Sequence, residues 1–371
     1  MVADTPVFDY FPRGTPFLLS DRMEAAMDEA LKAGRGAGGA LDAIENEQVR
    51  QLEDEPDYRD RLRAAYEAAG VNLVSATMGS LDRTLPFREG VRQDLARWQM
   101  RFDTVDWLTK VTTPAQARAV VANDEVGVIL NVQNGGAAID GDVDELDVLY
   151  NSGIRIVQLT YNTQNLVGTG CTERVDAGLS NHGVEVVGHL NDRGMVVDLS
   201  HCGTQTTLDG IEVSNRPPAV THAFCRALAD HDRGKTDAEL KALREADGYM
   251  GIVAVPFFLA PGEDDPDFEV FFEHLEHAVD ILGIDRVGIG TDWGSWTPEL
   301  PAPLHEGIAA SFASMGFREE HGVTIGEGFG PLQRYEDWPA IKKGLSERGF
   351  TDEEIEGILG KNFLAYWERI Q

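Results

Sequence analysis

The sequence predicts an α/β fold, a (β/α)8 TIM barrel, on three observations. Short apolar runs of strand length recur along the chain, they are apolar on both faces, and amphipathic stretches of helix length separate them. A run that is apolar throughout suits a parallel sheet covered by helices, because strict alternation would leave one face to water. Eight such runs alternating with helices favour a closed barrel over an open sheet.

In chain order the predicted strands are residues 16–20 (PFLLS), 71–78, 126–133, 154–162, 195–201, 218–223, 249–256 and 286–292. Helical spacing falls between them, at 144–153, 181–194, 236–248 and 268–283, and each of these segments ends in glycine, as a left-handed helix cap requires. With no internal sequence repeat and no interior linker, residues 1–371 read as one domain. Two stretches exceed the regular count. Residues 22–69 are longer than one connecting helix needs and contain a flexible break, GRGAGGA, and residues 293–330 read as a long loop after the eighth strand.

Composition narrows the function classes. A hydrophobic fraction of 42% supplies a large core and argues against disorder. The 63 acidic residues against 32 basic ones leave −31 at pH 7, so this acidic protein is a poor nucleic-acid partner. No uncharged apolar run reaches 18 residues, so no membrane span is expected. The leading MVADTPVFDYFPRG has acids and prolines where a signal peptide needs a basic end and an apolar run. Cys171, Cys202 and Cys225 stand at neither disulfide-framework nor zinc-ribbon spacing. Both observations point to a reducing, cytoplasmic setting.

In a barrel the C-terminal strand ends converge on one mouth. That rule collects Ser20 or Asp21, Thr77, Gln133, Tyr161 with Asn162, His201, His222, Pro256 and Asp292. Two consecutive strands, VVDLSH and PAVTH, end in histidines 21 residues apart. Neutral imidazole and carboxylate are ligands for Zn, Fe or Mn, and an ion with an open position polarises a carbonyl. One such histidine alone is as readily a hydrogen-bonded core residue; the pair together with Asp292 favours a metal site. His189, His274 and His277 fall on predicted helices as packing or solvated residues, His231 lies in a loop, and His182, His305 and His321 lie in polar loops. Cys202 and Cys225 read as small buried hydrophobes.

At VVDLSHCG, PAVTHAFCRALADHDRG, RVGIGTDWG and GKNF the sequence resembles the membrane (renal) dipeptidase family of binuclear zinc hydrolases, a TIM-barrel, amidohydrolase-like group. The similarity runs from about Val126 to the C-terminus and includes GIRIVQLTYNTQN and the Gly360, Asn362 pair. The resemblance implies that His201 and His222 ligate one metal, that Asp292 helps bind the other and handles the proton, and that Arg233 pairs with a substrate carboxylate. Three positions depart from the family. LLSDRM stands where a His-x-Asp pair is expected, Gln133 replaces the bridging glutamate, and Tyr161 replaces the histidine that touches the scissile carbonyl. Only Asp21 is left as a substitute ligand near the first strand.

The expectation is therefore a metallopeptidase-like hydrolase with one divalent ion, Zn with Mn or Fe as substitutes, held by His201, His222, Asp292 and Gln133. Asp292 and Tyr161 are the expected catalytic residues, with Arg233 and Asn162 binding a small dipeptide-like or amide substrate that bears a carboxylate. By analogy with the family a homodimer is expected. The alternatives are a catalytically impaired homologue serving as a binding protein, and lyase or decarboxylase chemistry on the same scaffold.

Overall fold

The computed structural model describes residues 5–10, 13–79, 85–292, 302–324 and 328–371, the side chains of 302–305 excepted. Among the described residues nine parallel strands form one sheet: β1 (Phe8–Tyr10), β2 (Leu73–Met78), β3 (Leu108–Lys110), β4 (Val126–Gln133), β5 (Ile154–Gln158), β6 (Val196–Asp198), β7 (Ala219–Ala223), β8 (Tyr249–Ile252) and β9 (Val287–Ile289). The path runs β1-β2-β4-β5-β6-β7-β8-β9, a nearly closed eight-stranded barrel, as the alternation of apolar runs predicts. β3 is additional: it pairs residues 126–128 of β4, on the edge that β5 takes up only from Leu130 onward.

The first strand is a correction. Residues 16–20 do not pair; they lead into Ser20, whose hydroxyl caps the helix Asp21–Lys32 by accepting from Met23 N. Ser20 therefore terminates a loop, and Asp21 is an exposed residue of the first helical turn. The strand is FDY instead, too short for an apolar-run criterion and interrupted by a carboxylate. β8 also ends early, because Pro256 begins a short helix, Pro256–Leu259. GRGAGGA holds the break between the helices Asp21–Lys32 and Gly36–Asp54, with Gly34 and Gly36 at positive φ; the second helix starts inside it, and Gly307 approaches so closely that a Cβ there would lie 2.3 Å from Ala37 Cβ. Within 293–330 the chain forms a helix, Ala302–Ser314, and a turn, Glu319–His321, while residues 293–301 lie outside the described residues. His182 sits on the helix Asn181–Asp192, and His305 on Ala302–Ser314.

Barrel closure between β9 and β1 uses a side chain. Thr291 donates to both Asp9 oxygens, from N and from Oγ1 at 2.9 Å each; Trp338 Nε1 donates to Asp9 Oδ2 at 3.2 Å; and Asp292 N donates to Tyr10 O. Below the barrel, Asn362 Nδ2 donates to Ile284 O and Val287 O, and Phe363 stacks on Phe8 at 3.8 Å. A Cβ on Gly360 would lie 2.4 Å from Pro6 O. GKNF is thus a seam between β9 and β1. Among the described residues no helix is long and apolar enough to cross a membrane.

Asp9 is fully buried, and burial raises its carboxyl from 3.8 to about 6 against the bonds from Thr291 and Trp338. The folded state therefore binds this proton more tightly than the unfolded chain, a contribution present below about 4 and lost as pH rises through about 6. Asp9→Asn lacks it and also turns an NH2 group toward one of the three donors. Its stability deficit against wild type is expected to shrink by about 3 kcal/mol between pH 4 and 7. Urea unfolding at stepped pH reads this directly, and a deficit that stays constant or grows would contradict the assignment.

Candidate metal centre

His201 follows β6 by three residues, His222 lies within β7, and Asp292 follows β9 by three residues. One ligand atom from each of His201, His222 and Asp292 lies within 4.8 Å of the others, the single such group among the described residues. Both imidazoles are buried and both Nε2 atoms lack a hydrogen-bond partner. A buried polar atom without a partner costs about 1–3 kcal/mol, so two of them facing one carboxylate mark a place for a ligand.

The other nitrogen of each ring is held. His222 Nδ1 is 2.8 Å from Thr221 Oγ1, and that hydroxyl donates to Asp198 Oδ2 at 2.6 Å. Because the hydroxyl proton goes to the carboxylate, the oxygen accepts from His222 Nδ1–H, and Nε2 keeps its lone pair. Asp198 is fully buried and also accepts from Ser200 N, Ser200 Oγ and Thr221 N. Orienting partners of this kind raise ligand basicity and fix the ring. His201 Nδ1 lies 2.8 Å from Asn162 Oδ1. Tyr10 stacks on His222 at 4.3 Å and Tyr161 on His201 at 4.0 Å.

Electrostatics keep the rings neutral. Burial pushes both histidines well below their ordinary value, and the nearby Arg233 cation adds to this. Burial raises Asp292 to about 7; Arg233 opposes the shift, while Asp9 and Asp198 add to it. Asp292 also holds a left-handed φ of 49°, uncommon for a side-chain-bearing residue. Burial raises Cys202, and lifts Cys225 to about 12, so neither carries a thiolate at neutral pH.

Arg233 is buried, with Nη1 donating to Ser200 O and Nη2 to His222 O, while its Nε has no partner. Asn162 is fully buried, with Oδ1 on His201 and Nδ2 donating to Met315 O at 3.0 Å, so both ends of its amide are engaged within the protein. His231 and His321 are buried too, their ring centroids 4.5 Å apart and tilted by 35°, although His321 was expected in a polar loop.

The profile of the membrane dipeptidase family (peptidase family M19) matches residues 51–306, more than half of the chain. The chain belongs to the membrane dipeptidase family. Two Schizosaccharomyces pombe relatives, each named as an uncharacterized dipeptidase, are 26% identical over 254 residues (67% of this chain, 54% of the relative) and 27% identical over 233 residues (62% and 50%). The chain thus spans about half the length of these curated relatives. An amidohydrolase from Pseudomonas aeruginosa is similar in structure, with TM-score 0.76, 25% identity and coverage of 99% of this chain and 97% of that one. A metallopeptidase from Rhodobacter sphaeroides, liganded with a phosphinate mimic of the dipeptide L-Ala-D-Ala, has TM-score 0.71, 18% identity and coverage of 99% and 100%; it bears on the fold alone.

In this member of the membrane dipeptidase family, a network of neutral side chains joins β1, β2 and β4. Gln133 Nε2 donates to Thr77 Oγ1 at 3.4 Å, and Thr77 Oγ1 and Tyr10 Oη both donate to Asn131 Oδ1, at 3.0 and 2.7 Å. Asn131 Nδ2 in turn donates to Ser75 Oγ at 2.8 Å. Neutral side chains here satisfy one another, and burial holds the Tyr10 hydroxyl far above its ordinary value, so it stays protonated. Asp21, the substitute ligand suggested by the sequence, is instead an exposed residue at the start of the helix Asp21–Lys32. Sequence reasoning passed over Tyr10, because its strand was placed at 16–20. It also passed over Asp198, although a carboxylate inside the apolar run MVVDLSH was a visible signal.

Proposed function

We propose that the protein is a metal-dependent hydrolase of small dipeptide-like or amide substrates bearing a carboxylate, working with one divalent ion. The observation that carries this reading is the convergence of two partnerless, neutral Nε2 atoms with the Asp292 carboxylate. Two imidazoles and a carboxylate suit Zn, with Mn or Fe as substitutes, and Gln133 offers a neutral amide at the rim. When bound, the ion supplies Lewis-acid polarisation of the scissile carbonyl.

The chain's own residues supply the rest. Asp292 takes a proton from the attacking water and returns it to the leaving amine. Tyr161, stacked on His201, donates to the developing oxyanion. Arg233 sits beside both histidines with an unspent Nε–H, and a guanidinium suits a substrate carboxylate. We further read residues 1–371 as one domain and the setting as cytoplasmic, in keeping with three free cysteines, with a homodimer as the working assembly and neither nucleic acid nor membrane as partner.

Purified protein is expected to carry about one Zn, Mn or Fe per chain, and to hydrolyse dipeptides or N-acyl amino acids in a chelator-sensitive manner. Metal analysis with a dipeptide screen checks both. A chain that gains no ion and no activity on adding Zn or Mn would overturn the reading. Ion binding without any turnover would favour a binding protein, the reading suggested by the missing His-x-Asp pair and by Gln133 in place of the bridging glutamate.

A further inference from the structure

We propose that Asn162 is a positioning residue whose amide, clamped by the Met315 carbonyl, holds His201 in the tautomer that presents Nε2 as the free donor. The inference rests on the metal-centre reading only in giving that Nε2 its purpose. A carbonyl oxygen only accepts, so the amide atom 3.0 Å from Met315 O is Nδ2. The atom 2.8 Å from His201 Nδ1 is then Oδ1, which also only accepts, so Nδ1 carries the ring proton. A neutral imidazole has one N–H, and Nε2 is left with its lone pair. Without the Met315 carbonyl the amide is free to turn over, and Nδ2 facing Nδ1 would favour the opposite tautomer, whose Nε2–H cannot bind a cation.

The surroundings hold this arrangement from several sides. Asn162 has φ 30°, and its carbonyl accepts from both Thr172 N and Thr172 Oγ1, at 2.9 and 3.1 Å. Gly316, with φ 91°, lets the segment after the helix Ala302–Ser314 come close: a Cβ there would lie 2.8 Å from Thr163 Cγ2 and from Thr172 Oγ1. Arg318 Nη1 donates to Thr172 O at 2.8 Å, Arg318 pairs with Asp232, and the His321 ring lies against His231 with centroids 4.5 Å apart. The two histidines are thus oriented by different means. His222 is set within the barrel by Thr221 and Asp198, whereas His201 is set by a segment that follows the last strand and reaches across to the loop after β5.

The test combines two-bond 1H–15N correlation spectra of histidine-labelled, ion-free protein with zinc titration. Wild type is expected to show His201 protonated at Nδ1 alone. Asn162→Leu should give mixed tautomers and about 10- to 100-fold weaker zinc binding, the usual cost of losing an orienting partner. Gly316→Ala, whose added Cβ would press on Thr163 and Thr172 at 2.8 Å and reach Asn162 Cβ only at 3.4 Å, displaces the segment that carries the Met315 carbonyl while leaving the Asn162 amide in place, and should move both readouts in the same direction by less. Asn162→Asp keeps an acceptor toward Nδ1 and should restore the Nδ1–H tautomer. Unchanged His201 in Asn162→Leu overturns the positioning role, and a shift in Asn162→Leu with none in Gly316→Ala overturns the clamp. If wild type binds no ion, the metal-centre reading fails while the spectra still decide the role of Asn162.

Discussion

Alanine at His222 is expected to abolish stoichiometric ion binding and to take hydrolysis with it. The ring supplies one of two neutral nitrogen donors, and a site left with one imidazole and one carboxylate falls short of the three protein ligands a catalytic zinc ordinarily has. Loss of an orienting partner alone typically costs 10- to 100-fold in affinity, so loss of the ligand itself should exceed about 100-fold. The fold should survive, because the backbone bonds of His222 remain in the alanine variant: its N–H donates to Ser200 Oγ, and its carbonyl accepts from Arg233 Nη2. Thr221→Val provides the graded control. It leaves the ring in place but breaks the path from Nδ1 through Thr221 to Asp198, and should cost about 10- to 100-fold. Metal analysis, zinc titration and circular dichroism on the three proteins check the series. An alanine variant that binds zinc as tightly as wild type would remove His222 from the site.

The barrel and its mouth were legible because both rest on patterns that one strand reveals by itself. VGVILNVQ is buried along its whole length, as an uninterrupted apolar run in a parallel sheet should be, and His201, His222 and Asp292 converge because strand ends in a barrel must. What was not legible depends on partners distant in sequence. FDY carries Asp9 in its middle, and only contact with Thr291 and Trp338, about 280 and 330 residues away, makes a buried carboxylate tolerable there. PFLLS is the more hydrophobic stretch, yet Ser20 with the acids that follow it is a helix start, and the cap decides the outcome. Asn162 looked like a mouth residue by position. Its amide is engaged inside the protein because Met315, 153 residues later, supplies a carbonyl that spacing along the chain does not reveal.

Asp292→Asn is expected to lower kcat by about 10²- to 10⁴-fold, the range for losing a positioned general base, with a smaller effect on ion binding than at His222. The amide is isosteric and keeps an oxygen for the ion, but it cannot take a proton from water. The pH profile separates this from simple damage. A base must be unprotonated to act, and burial with the neighbouring Asp9 and Asp198 holds Asp292 near 7 in the ion-free chain. A bound cation stabilises the carboxylate and lowers that value. The rising limb of kcat/KM for wild type should therefore lie at or below about 7, and it should vanish in the asparagine variant because no group remains to titrate on that limb. The histidines cannot supply it, since burial and Arg233 keep both rings neutral well below this range. A limb of unchanged position in Asp292→Asn, however slow the enzyme, would assign the base to another residue and leave Asp292 as a ligand alone.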